Sequence, residues 1–520
     1  MDPTTSKEAD NKRIAKNTLI LYVRMIFMMA IGLYTSRVIL NALGVSDLGL
    51  VNVAGSVIAM FTFLNSTLAG GTQRFLTFRL GEGNKEKLKQ TFASAMTLNL
   101  LLSVVIFILA ETVGLWYVYN KLNIEPGRFQ AALWCYQLSI ISTIVGIMQV
   151  PFNSALIAHE KMGVYAYMTI YDALFKLLAA FLIQMVSFDR VIFYSSLVFV
   201  GSLIATFLYN WYCRRHFEEC SFRFGYDKSI FREMLSFSFW DTVGCLAAMA
   251  QGTGVNLVIN SFCGTFVNGA RGIATQANGW VMRFVNSFLT ATKPQITKSY
   301  AAGDIERMGS LVCNTGQFGC YLILFLGIPL FLEIEYVIKL WLGQCPEHTV
   351  PFMRIAMLEA FVRTIGAPTI TAMHATGRMK ELNLTVGFVL LMILPISYIM
   401  FRFGATPEQV VLANVAPWTI VPFIRISLLY RFTNHLFPVK RFLTETICKT
   451  LVLSVLMFIP PYVVHTYSFA NSNIFRFILV CITSFVSSSM IIYFMGLSLH
   501  MRLFVKTKAK EMFDRMTHRK

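Results

Sequence analysis

The chain is 520 residues long, 56% hydrophobic and only 14% charged, with a formal net charge of +18 and a mean hydropathy of +0.59. Soluble domains carry about 25% charged residues, so the composition excludes an ordinary soluble globular protein and places the chain in the membrane class. The basic residues fall mainly in short connections between apolar stretches, where they set membrane topology, and this excludes a nucleic-acid-binding protein.

A membrane-spanning helix needs about 20 mostly apolar residues, and on that template the sequence predicts about 14 of them. They lie near residues 18–40, 48–79, 88–112, 129–158, 163–187, 191–212, 231–260, 270–299, 309–332, 351–375, 382–402, 408–430, 443–465 and 473–500. The first run, TLILYVRMIFMMAIGLYTSRVIL, holds Arg24 and Arg37 and lacks a small-residue cleavage site, so it reads as a retained helix rather than a signal peptide. Gly70-Gly71, Pro151, Pro294, Pro368, Pro395 and Pro422 mark expected kinks. The 10 cysteines are scattered, with neither C-x-x-C nor metal-ligand spacing, and read as small apolar residues. No metal or cofactor is expected.

With the N-terminus in the cytosol, the inner connections hold roughly thirty basic residues against six in the outer ones, a strong positive-inside bias. The outer six are Lys121, Arg128, Arg190, Lys339, Arg402 and Arg476. Miscounting one span would invert every later loop and destroy the pattern, so both termini are expected to be cytoplasmic.

The chain also repeats. At a shift of about 220 positions, residues 38–88 register without a gap over residues 258–308: Gly44 meets Gly264, Thr72 meets Thr292, Gly83 meets Gly303 and Glu86 meets Glu306. At nearly the same shift PFNSALIAHEKM lies over PTITAMHATGRM, with Pro151 over Pro368 and Lys161 over Arg378. The shift equals about six spans, an even number, so the repeat is parallel, with its axis along the membrane normal. The expected organisation is an N-terminal lobe of helices 1–6 (residues 1–212), a cytoplasmic linker (213–229) and a C-terminal lobe of helices 7–12 (230–435). Two extra helices (436–500) and a basic tail (501–520) follow; the tail is expected to lie on the anionic membrane surface.

Several spans carry charges, among them Arg24, Asp172, Lys176, Asp241, Arg283, Glu359, Arg363 and Arg425. A charge in hydrocarbon costs about 2.5–3.5 kcal/mol on the most lenient scale, so such groups face a bundle interior or a wet cavity. Repeated charges in many spans therefore point to a polar compartment inside a helical membrane protein, the anatomy of a transporter. At 1.5 Å per residue Arg24 lies about 10 Å in from the cytosolic face, Arg283 and Arg363 near the midplane, and Arg37 and Arg271 near the outer rim.

Each of these residues also has a structural explanation. Arg37, Arg271 and Arg354 lie near helix ends, and Arg425 in the inner half of its span, from which long side chains snorkel to water. Asp172 and Lys176 are four apart on one helix and can neutralise each other, as can Glu359 and Arg363. Arg24, Arg283 and Asp241 have no partner at that spacing. Asn41, Asn52, Asn65, Gln73, Gln251, Asn256, Gln276, Asn278 and Asn286 suit either sugar hydroxyls or interhelical hydrogen bonds.

Twelve spans in two parallel lobes, two added C-terminal spans and a cationic first helix resemble the multidrug, oligosaccharidyl-lipid and polysaccharide exporter superfamily. Within it, NKRIAKNTLILYVRM, RVILNALGVSDLGLVNV and GGTQRFLTFRLGEGN are similar to the polysaccharide-biosynthesis flippases. The resemblance implies an all-α polytopic fold, two six-helix lobes in a V plus two C-terminal helices, that alternates between inward-open and outward-open states. It implies a bacterial inner-membrane location and, as substrate, an undecaprenyl-pyrophosphate-linked oligosaccharide turned outward for lipopolysaccharide O-antigen or capsule assembly. Polymerase and ligase machinery would then be partners, besides membrane lipids.

Arginine suits a pyrophosphate, because guanidinium stays charged and bonds phosphate through two donors at once. The expected cavity cations are Arg24, Arg283, Arg363, Arg37 and Arg271. Asp241, Glu359 and Asp172 are the candidates for ion or proton coupling. There is no G-x-x-x-x-G-K-[ST] and no H-E-x-x-H, and the soluble loops are too short for a catalytic domain, so an enzyme is not expected. The competing readings are a cation-coupled multidrug exporter, which calls for an acidic or aromatic cavity, a peptidoglycan lipid-precursor flippase with the same pyrophosphate logic, and a membrane-embedded glycosyltransferase.

Overall fold

The structure, a computed structural model, describes residues 16–32, 34–35, 37–39, 41–43, 47, 62–120, 127–186, 188–221, 227–342, 345–467, 473–497, 502–503 and 506. Nearly all of them are helical, and among them there is no strand. Eleven helices are long and apolar enough to cross a membrane. They are α1 (Lys16–Leu43), α3 (Lys85–Asn120), α4 (Phe129–Ala158), α5 (Met162–Met185), α6 (Arg190–His216), α7 (Lys228–Gly264), α9 (Ile305–Leu332), α12 (Met379–Arg402), α13 (Pro407–Phe432), α14 (Val439–Tyr467) and α15 (Ile474–Gly496). Three more have the length of a span but are more polar: α2 (Thr62–Glu82), α8 (residues 265–301) and α11 (Thr349–Thr376). The short α10 (Ile334–Leu342) lies between α9 and α11. The fold is all-α and polytopic, and these fourteen long helices fall on the fourteen expected spans. The first part of the second span (48–61) and most of the basic tail lie outside the described residues.

Local chemistry sets the helix ends. Asn84, Asp189 and Asp227 accept hydrogen bonds from the first amides of α3, α6 and α7. Thr406 and Gln409 form a reciprocal capping box ahead of α13, with Pro407 at its first position. α7 and α8 run on as one 74-residue helical stretch broken at Gly264, where φ 81° and ψ −178° admit glycine almost alone. At the bulge in α3 (Ala110–Gly114), Ala110 O accepts the Leu115 N–H and also the buried Tyr136 hydroxyl, at 2.7 Å.

The repeat recurs in the backbone. Gly83 and Gly303, superposed by the shift of 220, both take left-handed φ (72° and 76°) at the turn that ends α2 and α8. Asn84 and Asp304 follow them and bond the amides of Lys87 and Arg307. In the second matched pair Glu160 lies over Gly377, and both are left-handed (58° and 77°).

Two compact units emerge from the packing. Unit 1 comprises Met1–Met249, Thr290–Met308 and Thr371–Phe388; unit 2 comprises Ala250–Leu289, Gly309–Ile370 and Val389–Lys520. Unit 1 packs Leu76, Phe92, Phe152, Leu156 and Tyr209 in one core and Tyr136, Ile140, Ala180 and Val191 in another. In unit 2, Ile328 and Leu332 of α9 pack with Met457 of α14 and Val480 of α15. The same helices meet in an ion cluster: buried Glu333 accepts from His465 Nδ1 at 2.8 Å and from Arg476 Nε and Nη2 at 3.0 and 3.1 Å. Leu, Val and Phe side chains such as Val104, Phe388, Val452 and Val455 are exposed, as suits helices solvated by lipid.

Candidate functional site

In unit 2 the polar helices α8 and α11 bring cations together with α13. Arg363 on α11 lies 3.3 Å from Glu359 Oε1, one turn away as the spacing predicts, and its guanidinium also covers the Trp418 ring of α13 at 4.1 Å. Arg271 on α8 is buried and donates to Asn256 Oδ1 at 2.7 Å. It stands within electrostatic reach of Glu359. Arg425, one face along α13, is buried within electrostatic reach of Arg363. The cluster therefore sets three guanidinium groups against one carboxylate. Among the described residues, two of its buried donors, Arg425 Nε and Trp418 Nε1, have no hydrogen-bond partner. A buried donor without an acceptor costs about 1–3 kcal/mol, so the cluster is poised for an acceptor-rich anion.

Arg271 and Arg425 do not snorkel; both are buried. The reach of Arg425 to Arg363 depends on how α11 and α13 pack, and no spacing within one helix signals it. Arg283, on α8 in unit 2, is exposed, and among the described residues its side chain has no partner. Arg37 is also exposed.

Unit 1 holds the remaining expected residues. Arg24 on α1 is half-buried, with its guanidinium 4.9 Å from the Tyr165 ring centroid and Nη1 3.5 Å from Thr169 Oγ1. Its Nε is buried without an acceptor, and among the described residues no carboxylate pairs with it. Asp172 is half-exposed and held by Lys176 Nζ at 2.8 Å. Asp241 on α7 is buried, and its Oδ1 lies 3.4 Å from Nε2 of His374 on α11. Lys293 on α8 is within electrostatic reach of it. The histidine is 133 positions from Asp241 (374 − 241), so only the fold reveals the pair.

Two further constellations in unit 1 were not foreseen. Glu160, in the turn between α4 and α5, has a side chain only 1% exposed. It accepts from Gln295 Nε2 at 2.9 and 3.0 Å and from Lys298 Nζ at 2.7 Å, both on α8. Across the repeat, Arg74 in the second half of α2 donates to the carbonyls of His374 and Ala375 at 2.9 and 3.1 Å, in the last turn of α11. Each of these repeat-related helices thus grips the opposite half. The signal was present in the alignment, which sets Glu160, a residue that seldom takes positive φ, over a glycine.

No protein-family model and no curated protein matches the sequence. Solved structures do match over most of the chain. A MATE structure in complex with MaD3S is 13% identical, with a TM-score of 0.71, covering 82% of this chain and 96% of its own. An outward-facing multidrug resistance MATE family transporter of the MOP superfamily is 14% identical, with a TM-score of 0.67 and coverage of 81% and 96%. A MOP superfamily transporter from Pyrococcus furiosus, described by the reversed polarity of its binding pocket, is 13% identical, with a TM-score of 0.68 and the same coverage. The chain has their fold. With its eleven apolar helices, it is a multi-pass membrane protein.

Proposed function

We propose that the protein is a flippase that turns an undecaprenyl-pyrophosphate-linked oligosaccharide across the bacterial inner membrane, for lipopolysaccharide O-antigen or capsule assembly, by alternating access. The observation that carries this reading is the charge balance of the polar helices. Each acid weighed as an ion carrier has a basic neighbour: Asp172 has Lys176, Glu359 has Arg363, and Asp241 has His374. Arg24 and Arg425 keep buried donors without acceptors. A site with surplus guanidinium suits a pyrophosphate and repels a cationic drug. A peptidoglycan lipid precursor would satisfy the same chemistry.

In this reading residues 1–212 and 230–435 are the two lobes that rock, and Arg24 in the first lobe and Arg283, Arg363, Arg271 and Arg425 in the second contact the head group. Arg37 stands at the outer end of that series. Asp241 with His374 is the preferred coupling pair, because Asp241 is buried and its partner is a histidine, whereas Asp172 and Glu359 pair with Lys176 and Arg363 on their own helices. The test is a deletion strain complemented with Arg24→Ala, Arg283→Ala or Arg425→Gln. Each variant should remain in the membrane, abolish surface polysaccharide and leave the lipid-linked intermediate on the inner leaflet. Normal polymer from all three would remove these residues from the mechanism and the reading with them.

A further inference from the structure

A cleft of about 880 Å³ opens in unit 1 between the first turns of α7 and the turn that joins α11 to α12. It is separate from the arginine cluster of unit 2. Its charged lining is Lys228, Arg232, Arg378 and Lys380 against Glu233 and Glu381. Four cations face two carboxylates, and one of those two is shared: Glu233 also lies 3.6 Å from Arg74 and 3.9 Å from Arg79. The positive balance in the cleft is therefore larger than the count of side chains suggests. The walls are apolar and aromatic, with Phe237 and Trp240 from α7 and Met379 from α12. Lys380 Nζ stands 5.5 Å from the Trp240 ring centroid.

The backbone fixes this arrangement. Gly377 has φ +77°, and a Cβ there would come within 2.6 Å of Arg74 Nη2. Arg74 of α2 therefore lies directly against the turn that carries Arg378, one residue before α12. Lys228 and Arg232 are four apart and present one face of the first turns of α7. On the positive-inside expectation from the sequence, these helix ends face the cytosol.

We propose that this cleft binds a phosphate monoester or diester carried by a lipid head group of the cytosolic leaflet. Guanidinium and ammonium groups converging from two elements suit phosphate oxygens. Anionic lipids of that leaflet attract basic segments by about 1 kcal/mol per residue. The aromatic wall accommodates the glycerol or sugar next to the phosphate. The site is independent of the arginine cluster, so its failure would leave the flippase reading standing, and loss of transport in Arg425→Gln would leave this site untouched.

The experiment uses the purified full-length protein in neutral detergent. Binding of dioctanoyl phosphatidylglycerol, dioctanoyl phosphatidylcholine and inorganic pyrophosphate is followed by thermophoresis. Phosphatidylglycerol should bind more tightly than phosphatidylcholine and weaken as salt shortens the Debye length from about 10 Å toward 3 Å. Arg232→Gln/Lys380→Gln should weaken it about tenfold or more, and Glu381→Gln should strengthen it. If that double variant fails to fold, Lys228→Gln/Arg378→Gln carries the same expectation, with retention of the monodisperse protein peak as the control. Pyrophosphate bound with the same dependence on the four cations would identify the phosphate itself as the recognised group; no pyrophosphate binding would identify the lipid head group. Equal binding of the two lipids, or affinity unchanged in a folded charge variant, overturns the proposal.

Discussion

The grip of α8 on Glu160 makes a quantitative prediction about which side of the protein is shut. Lys298→Met removes the ammonium and leaves the Glu160 carboxylate buried, with Gln295 as its remaining donor on α8. Breaking a buried pair by deleting one partner costs about 3–5 kcal/mol, because the other charge stays desolvated. Glu160 lies in the first repeat and Lys298 in the second, so in the alternating-access cycle proposed above the cost falls on the state in which the two repeats meet at this end. If about 3 kcal/mol is taken from that state alone, the population of the open state rises roughly 150-fold.

The assay is the reaction rate of a cysteine placed at Ser299, which is buried beside the pair. It is read with a membrane-impermeant maleimide in inside-out vesicles, in a background where exposed Cys448 is serine. Labelling should rise at least tenfold in Lys298→Met. Adding Glu160→Gln should bring it most of the way back, because a neutral amide no longer needs the ammonium. Arg74→Met, which removes the bonds from α2 to the last turn of α11, should act in the same direction. Unchanged labelling in Lys298→Met would refute the latch. A lower melting temperature without faster labelling would mean that the pair only staples α8 in place.

Three other outcomes follow from the geometry. Arg476→Met should lower the melting temperature clearly, since it removes two of the hydrogen bonds to buried Glu333, and Glu333→Gln/Arg476→Met should recover part of the loss. Gly377→Ala should destabilise more than Gly83→Ala. Both impose positive-φ strain of about 1–2 kcal/mol, but only at Gly377 does the new methyl collide with Arg74. The third concerns acid stability and Glu219, in the turn Glu218–Cys220 outside the spans. Burial pushes its pKa up, but the His159 hydrogen bond, a backbone hydrogen bond and nearby Lys89 outweigh this and hold it below the ordinary carboxylate range. A depressed carboxylate stabilises the fold above its unfolded pKa, about 4.3, and that contribution disappears as pH falls through the folded value. The melting temperature should therefore drop on acidification below about pH 4.3, and Glu219→Gln should flatten that drop.

Span number and the partners within a helix were legible because they depend on short-range rules. A run of about 20 apolar residues crosses a bilayer whatever its neighbours, and Asp172–Lys176 and Glu359–Arg363 meet because residues four apart share a helix face. Depth alone leaves Arg425 open between snorkelling and a place inside the bundle, and packing of α13 against α11 buries it near Arg363. His374 and Glu160 belong to no sequence motif, and their partners come from other helices. These contacts link positions more than sixty apart, and one sequence without its fold carries no signal for them beyond the repeat. The alignment of Glu160 over Gly377 was that signal, because a glutamate held at positive φ needs something to hold it.

The helices that fall short of the hydropathy of a span are the more informative ones. α2, α8 and α11 have spanning length but carry Arg74, Arg271, Arg283, Lys293, Glu359 and Arg363. Two of them, α2 and α8, are equivalent under the repeat. A helix facing lipid gains nothing from such residues and loses about 2.5 kcal/mol or more for each one at the membrane centre. Their positions in one pair of equivalent helices, and in a third that packs its Arg363 on Trp418, are intelligible only if those helices face protein or water. In this chain a deficit of hydropathy at spanning length therefore separates α2, α8 and α11 from α14 and α15, whose exposed faces carry Val452, Val455 and Val486.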